Sequence, residues 1–89
     1  MTVFCVSYDL NKPGKDYKDL YAELQKFNNW CHPLDSTWFV STTLSAVQVH
    51  DQLKRVMDSS DGLIVVSAGT PAAWSGLDTK VSSWLNNTL

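Results

Sequence analysis

An α+β sandwich, one four-stranded antiparallel sheet with helices on one face, is the fold class that this 89-residue chain predicts. Three observations predict it. Two runs, Val3-Phe4-Cys5-Val6-Ser7-Tyr8-Asp9 and Leu63-Ile64-Val65-Val66, are apolar enough to be strands buried on both faces. Two intervening stretches place apolar residues three and four apart, the period of an amphipathic helix. The resulting order is β-α-β-β-α-β with a C-terminal helix, the ferredoxin-like arrangement of two right-handed βα units. The first and last strands, being the apolar ones, are expected to form its central pair. One domain spanning residues 1–89 accounts for the chain, with no linker, repeat or low-complexity segment.

The elements follow in order. The first strand runs to Asp9, a residue depleted within strands, and an Asn11-Lys12-Pro13-Gly14 turn follows. From Asp16 to Asn28, Tyr17, Leu20, Tyr21, Leu24 and Phe27 make one helical face, with Asp16 as N-cap and Asn28-Asn29 as the stop. Trp30-Cys31-His32 reads as a short strand interrupted by Pro33, which assigns it to a sheet edge. Pro33-Leu34-Asp35-Ser36 then turns into a long strand, Ser36 to Thr42, around Trp38, Phe39 and Val40. Ser45-Ala46-Val47-Gln48 is a capping box, with Leu44 and Val49 placed as its hydrophobic staple. Ala46, Val49, Leu53, Val56 and Met57 give the second helix its buried stripe, and Asp58-Ser59-Ser60-Asp61-Gly62 ends it. After the last strand, Ser67 to Gly76 is a Gly/Ala-rich loop carrying Trp74. Leu77, Val81, Trp84 and Leu85 then share one face of a terminal helix, Leu77 to Leu89.

Composition narrows the function classes. An apolar fraction of 44%, with four Trp, three Tyr and three Phe, predicts a folded globule rather than a disordered chain. A net charge of −2 argues against nonspecific coating of DNA, although Lys12, Lys15 and Lys18 cluster near Asp9. Cys5 and Cys31 belong to no CxxC pair, and His32 and His50 are scattered, so a structural zinc site is not expected. Reduced thiols and a cytoplasmic setting are the expectation, because Met1-Thr2 enters the strand without a basic leader and no stretch is long enough to span a membrane. The Asn86-Asn87-Thr88 sequon carries no weight without secretion.

The residues with chemical potential are few. Asp9, at the rim of a rigid sheet, could hold Mg²⁺ through its carboxylate, or it could simply end the strand. Asp35 reads as a turn residue beside the hairpin, and Ser7 and Ser36 as ordinary strand hydroxyls. His32 has a pKa range suited to proton transfer, but no spacing pairs it with Asp9. His50 falls on the polar side of its helix. No Ser-His-Asp, Cys-His or Gly-rich phosphate-loop pattern is present. Trp38 and Trp84 read as core. Trp74 is the aromatic best placed to stack on a base, with lysines available for phosphates.

Tyr8-Asp9-Leu10-Asn11-Lys12-Pro13-Gly14, Leu34-Asp35-Ser36-Thr37-Trp38 and the Trp74 loop together resemble the small SinR-like proteins of bacteria and phages, over nearly the whole chain. More distantly they resemble the small dimeric ferredoxin-like subunit of the CRISPR adaptation complex. That resemblance implies a homodimer in which two copies of Asp9, each preceded by Tyr8, face one another and hold Mg²⁺, the one cofactor it suggests. The segment after Asp9 departs from the relative's Asp- and Arg-bearing pattern, and the Trp74 loop and a helix stand where the relative has a short pairing strand. The expected function is a homodimeric binding module for nucleic acid, nucleotide or protein, in phage or mobile-element conflict with host defence. Tyr8, Asn11, Lys12, Lys15 and Trp74 are its candidate ligand-binding residues. The alternative is a Mg²⁺-dependent endonuclease with Asp9 as catalytic residue and metal ligand.

Overall fold

The computed structural model describes the whole chain, Met1–Leu89. Its elements are β1 (Thr2–Asp9), α1 (Lys18–Leu24), β2 (Asn29–Leu34), β3 (Thr37–Thr42), α2 (Ala46–Lys54), β4 (Gly62–Ser67) and α3 (Thr79–Thr88). The strands form one antiparallel sheet in the order β2-β3-β1-β4, the ferredoxin-like arrangement. No helix is long and apolar enough to cross a membrane.

Alternation along β1 and β3 builds the core. Phe4, Val6 and Tyr8 point to one face, and the register sets Phe4 beside Val40 and Val6 beside Trp38 on that same face. Leu20 and Leu24 of α1, with Val49 and Leu53 of α2, close over them at zero exposure. Complete burial contributes about 1.5–3 kcal/mol for each such aliphatic side chain. α2 begins as its sequence requires. Ser45 Oγ accepts from the Gln48 amide at 3.1 Å, and Gln48 Oε1 accepts from the Ser45 amide at 2.9 Å.

Three boundaries and one neighbour differ from expectation. α1 is shorter than Asp16 to Asn28. Asp16 Oδ1 accepts from the Lys18 amide one step outside the helix, and after Leu24 the chain tightens into i→i+3 turns that still bury Phe27. β2 runs through Pro33 to Leu34, with a register irregularity between Cys31 and Leu34, which its edge position tolerates. α3 starts at Thr79, capped by Asp78, whose Oδ1 accepts from the Val81 amide at 2.8 Å.

The last strand is not central. β1 and β3 are the central pair, and β4 is an edge with β1 as its sole neighbour. The crossover through α2 leaves β4 parallel to β3, with β1 lying between them. β4 is apolar on both sides for a different reason. Leu63 and Val65 pack against the helix-side core, whereas Ile64 and Val66 face the opposite side, at 59% and 50% exposure.

That opposite side is only partly covered. Cys5, Phe39 and Cys31 lie there by register, and α3 sits against them. The Trp84 ring centroid is 6.4 Å from that of Phe39, Trp84 Nε1 donates to Asn29 Oδ1 at 2.7 Å, and Leu85 is buried.

Candidate functional site

The exit of β1 places Asp9 beside Gly62 of β4. Asp9 is exposed, and its carboxylate takes part in none of the ion pairs of the chain. No three His, Cys, Asp or Glu side chains converge anywhere on a pattern able to hold a metal ion. A Mg²⁺ at Asp9 would therefore need ligands from outside this chain, plus water.

The other residues around Asp9 are engaged within the fold. Tyr8 points into the core at 6% exposure. Its hydroxyl donates to the Asp35 carbonyl at 3.1 Å and accepts from Trp38 Nε1 at 3.0 Å, and burial pushes its pKa up to about 12. Asn11, Lys12 and Lys15 tie the loop after β1 to the turn before β4. Asp61 is the centre of that latch. Its Oδ1 accepts from the Asn11 amide at 2.7 Å and from the Tyr17 hydroxyl at 2.8 Å, and its Oδ2 accepts from the Asp58 amide at 2.8 Å. Burial pushes the Asp61 carboxyl upward, but these donors outweigh it and hold it below the ordinary range. The Ser60 hydroxyl and amide, with Lys12 3.4 Å away, hold Asp58 at about 2. Lys15 donates to the Val56 carbonyl at 3.4 Å and lies over the Tyr17 ring.

An aromatic cluster surrounds Trp38, which is 1% exposed. His32 stacks on it at 4.0 Å between centroids with planes 14° apart, while Trp30 and Tyr21 lie at 5.1 and 6.1 Å. His32 Nε2 is 3.0 Å from the Asp35 carbonyl, which fixes the ring's orientation. On its outer side, Trp30 and His32 join Lys80, Val81 and Trp84 around a hollow of about 350 Å³. No local spacing in the sequence reveals these partners of His32, which come from α1 and β3.

The largest cavity is on the half-covered face. The 68–78 segment lies along the end of β4, and Trp74 Nε1 donates to Ser82 Oγ of α3 at 2.8 Å. Between this segment, α3 and the sheet is a cleft of about 460 Å³, floored by Cys5, Phe39 and Val66 and walled by Leu34, Trp74 and Leu85. No charged side chain lines it. Of the sequence-predicted residues, Trp74 alone lines this cleft. Asp9, Asn11, Lys12 and Lys15 belong to the β1 exit, and Tyr8 to the core. The chemistry available in the cleft is apolar burial with a few hydroxyls at its wall.

Comparisons with protein-family models, with curated proteins and with solved structures each return no significant match.

Proposed function

We propose that this protein is a non-catalytic, homodimeric binding module whose uncharged cleft takes an apolar segment of a protein partner. The observation that carries this reading is the cleft itself. Its volume suits a few large apolar side chains, its lining has nothing to neutralise a phosphate, and Leu34 at its mouth is 58% exposed. The SinR-like resemblance supports the homodimer and a setting in conflict between phages or mobile elements and host defence.

Selection of displayed peptides on the immobilised protein tests it. Peptides with paired aliphatic or aromatic residues should be enriched, and Leu34→Glu should abolish their binding without altering the fold. Random enrichment, or equal binding to Leu34→Glu, would sink the idea.

Two observations favour other readings. The hollow of Trp30, His32, Trp84 and Lys80 offers stacking surfaces and a cation to a nucleotide. Salt-sensitive oligonucleotide binding that Trp30→Ala removes would favour that class. The unpaired Asp9 carboxylate supports the Mg²⁺-dependent nuclease. Its measurement is cleavage of labelled RNA and DNA with Mg²⁺ or Mn²⁺, wild type beside Asp9→Asn.

A further inference from the structure

The two edges of the sheet are finished differently. β2 carries Pro33 and a register irregularity, both devices that blunt an edge against pairing. β4 has neither. Its sequence, Gly62-Leu63-Ile64-Val65-Val66-Ser67, contains no proline and no charge, and its register with β1 is unbroken.

Its outward backbone groups can be assigned. The Ala68 amide donates to the Val3 carbonyl at 2.8 Å. By the two-residue period of a strand, the N–H and C=O groups of Val66 and Ile64 also point into the β1 ladder. Those of Leu63, Val65 and Ser67 point away from it, toward a side where no strand lies. Apolar side chains flank this row on both faces of the sheet. Ile64 and Val66 are half-exposed on one face, and on the other Val47, 68% exposed, shares a shallow hollow with His50 and Val65.

We propose that β4 is the homodimer edge: two copies pair antiparallel through Leu63, Val65 and Ser67 about a two-fold axis at Val65, joining their sheets into one of eight strands. The inference rests on the two-copy state of the reading above, not on the facing Asp9 pair that the resemblance implies, and it names a different interface. A second copy is the occupant because the segment is self-complementary about Val65. Val65 meets the partner's Val65 and Ile64 meets the partner's Val66, so β-branched residues face one another at the three central positions of the ladder, with Leu63 against the partner's Ser67 at either end. The contact is small, as expected of a weak, reversible dimer. A six-residue strand is about 20 Å long, and the molecule is 20 Å deep along its shortest axis. The contact strip is roughly 400 Å² per copy in projection, below the standard interface, so the dimer is concentration-dependent.

The experiment is sedimentation velocity from roughly 5 µM to 1 mM, a range suited to a small interface, with NMR amide exchange at both ends. The expected result is a monomer–dimer shift in which the Leu63, Val65 and Ser67 amides slow at least about tenfold, while those of Ile64 and Val66 are protected throughout. Ile64→Lys sets two lysines about 7–8 Å apart across the axis. It should raise the dimerisation midpoint about tenfold, and an equimolar mixture with Ile64→Glu should restore a mixed dimer. A chain that stays monomeric, a dimer whose outward amides still exchange fast, or a midpoint unmoved by Ile64→Lys would each overturn the proposal. Ile64 does not line the cleft, whereas Val66 and Ser67 belong to both the cleft and the paired strand; peptide binding is therefore measured well below the dimerisation midpoint, where its loss reports on the cleft alone.

Discussion

Removing the Asp61 carboxylate should unfasten the two loops it holds together. In Asp61→Ala, the Asn11 amide, the Tyr17 hydroxyl and the Asp58 amide all lose their acceptor. A hydrogen bond to a buried charged group contributes about 1.5–3 kcal/mol. Here the Asn11 amide is exposed and the other two bonds are half-buried, so water replaces part of each, and the three together are expected to contribute about 2 kcal/mol. For a domain of this size that corresponds to a fall in Tm of about 8–16 °C. Urea unfolding at neutral pH, followed by tryptophan fluorescence, measures it, with an unchanged slope against denaturant. The pH dependence supplies an internal check. Asp61 and Asp58 are held below the ordinary carboxylate value of 3.8, Asp58 at about 2. A group depressed on folding contributes fully above its unfolded pKa and loses that contribution as pH falls through the folded one. Wild type should therefore lose stability as pH falls below about 4, and its advantage over Asp61→Ala should shrink in the same direction. A difference below about 0.5 kcal/mol at neutral pH, or one that persists undiminished at pH 2, would refute the latch.

Tyr8→Phe strands the buried Trp38 Nε1 without an acceptor and should cost about 1–3 kcal/mol, whereas Asp9→Asn should stay within about 0.5 kcal/mol; paired denaturation curves distinguish them. Ser45→Ala removes the acceptor of the Gln48 amide and should cost about 1 kcal/mol by the same assay, or nothing if the cap is idle. Burial raises both thiols, Cys31 to about 11. Ellman's reagent at pH 8 should therefore react quickly with at most one thiol of the native protein, Cys5 on the cleft floor, and with both in urea; a native burst of two thiols would contradict the burial of Cys31.

Local periodicity made the elements legible, and what escaped it is non-local. The capping box at Ser45 and Gln48 was readable because both partners lie within one helical turn. β4 was misread as central because Leu63-Ile64-Val65-Val66 is apolar at every position, and strand sequence does not record whether a second neighbour exists. The apolar outer residues belong to a half-covered face, not to a buried centre. The end of α1 was overextended for a related reason. Phe27 continues the apolar period, and it is buried, but from a tight turn after Leu24. Within the site, the exit position of Asp9 was readable from its chemistry. The tie between Asn11 and Asp61 joins residues 50 apart, and no spacing rule anticipates it. The cleft was the least legible feature. It exists because α3 returns across the face bearing Phe39 and Cys5, a consequence of docking, while the sequence signal at Trp74 marked only one wall.

The dimer edge also bears on the choice between binding and catalysis. In the β4 dimer, Asp9 of each copy is three strand spacings from its counterpart, about 14 Å across the sheet. Asp9 is level with Gly62, three positions from the axis at Val65, so the two carboxylates are offset by about 20 Å along the strands. Their separation is then about 25 Å. A Mg²⁺ shared by two carboxylates requires oxygens at about 2 Å from one ion, and no bridging water spans such a gap. The paired-Asp9 nuclease and the β4 dimer are therefore mutually exclusive assemblies of one chain. Slow exchange of the Leu63, Val65 and Ser67 amides in the dimer would dismantle the paired-metal mechanism without a cleavage assay. Asp9-dependent cleavage by a dimer whose β4 edge exchanges freely would require the two copies to meet at the β1 exit instead.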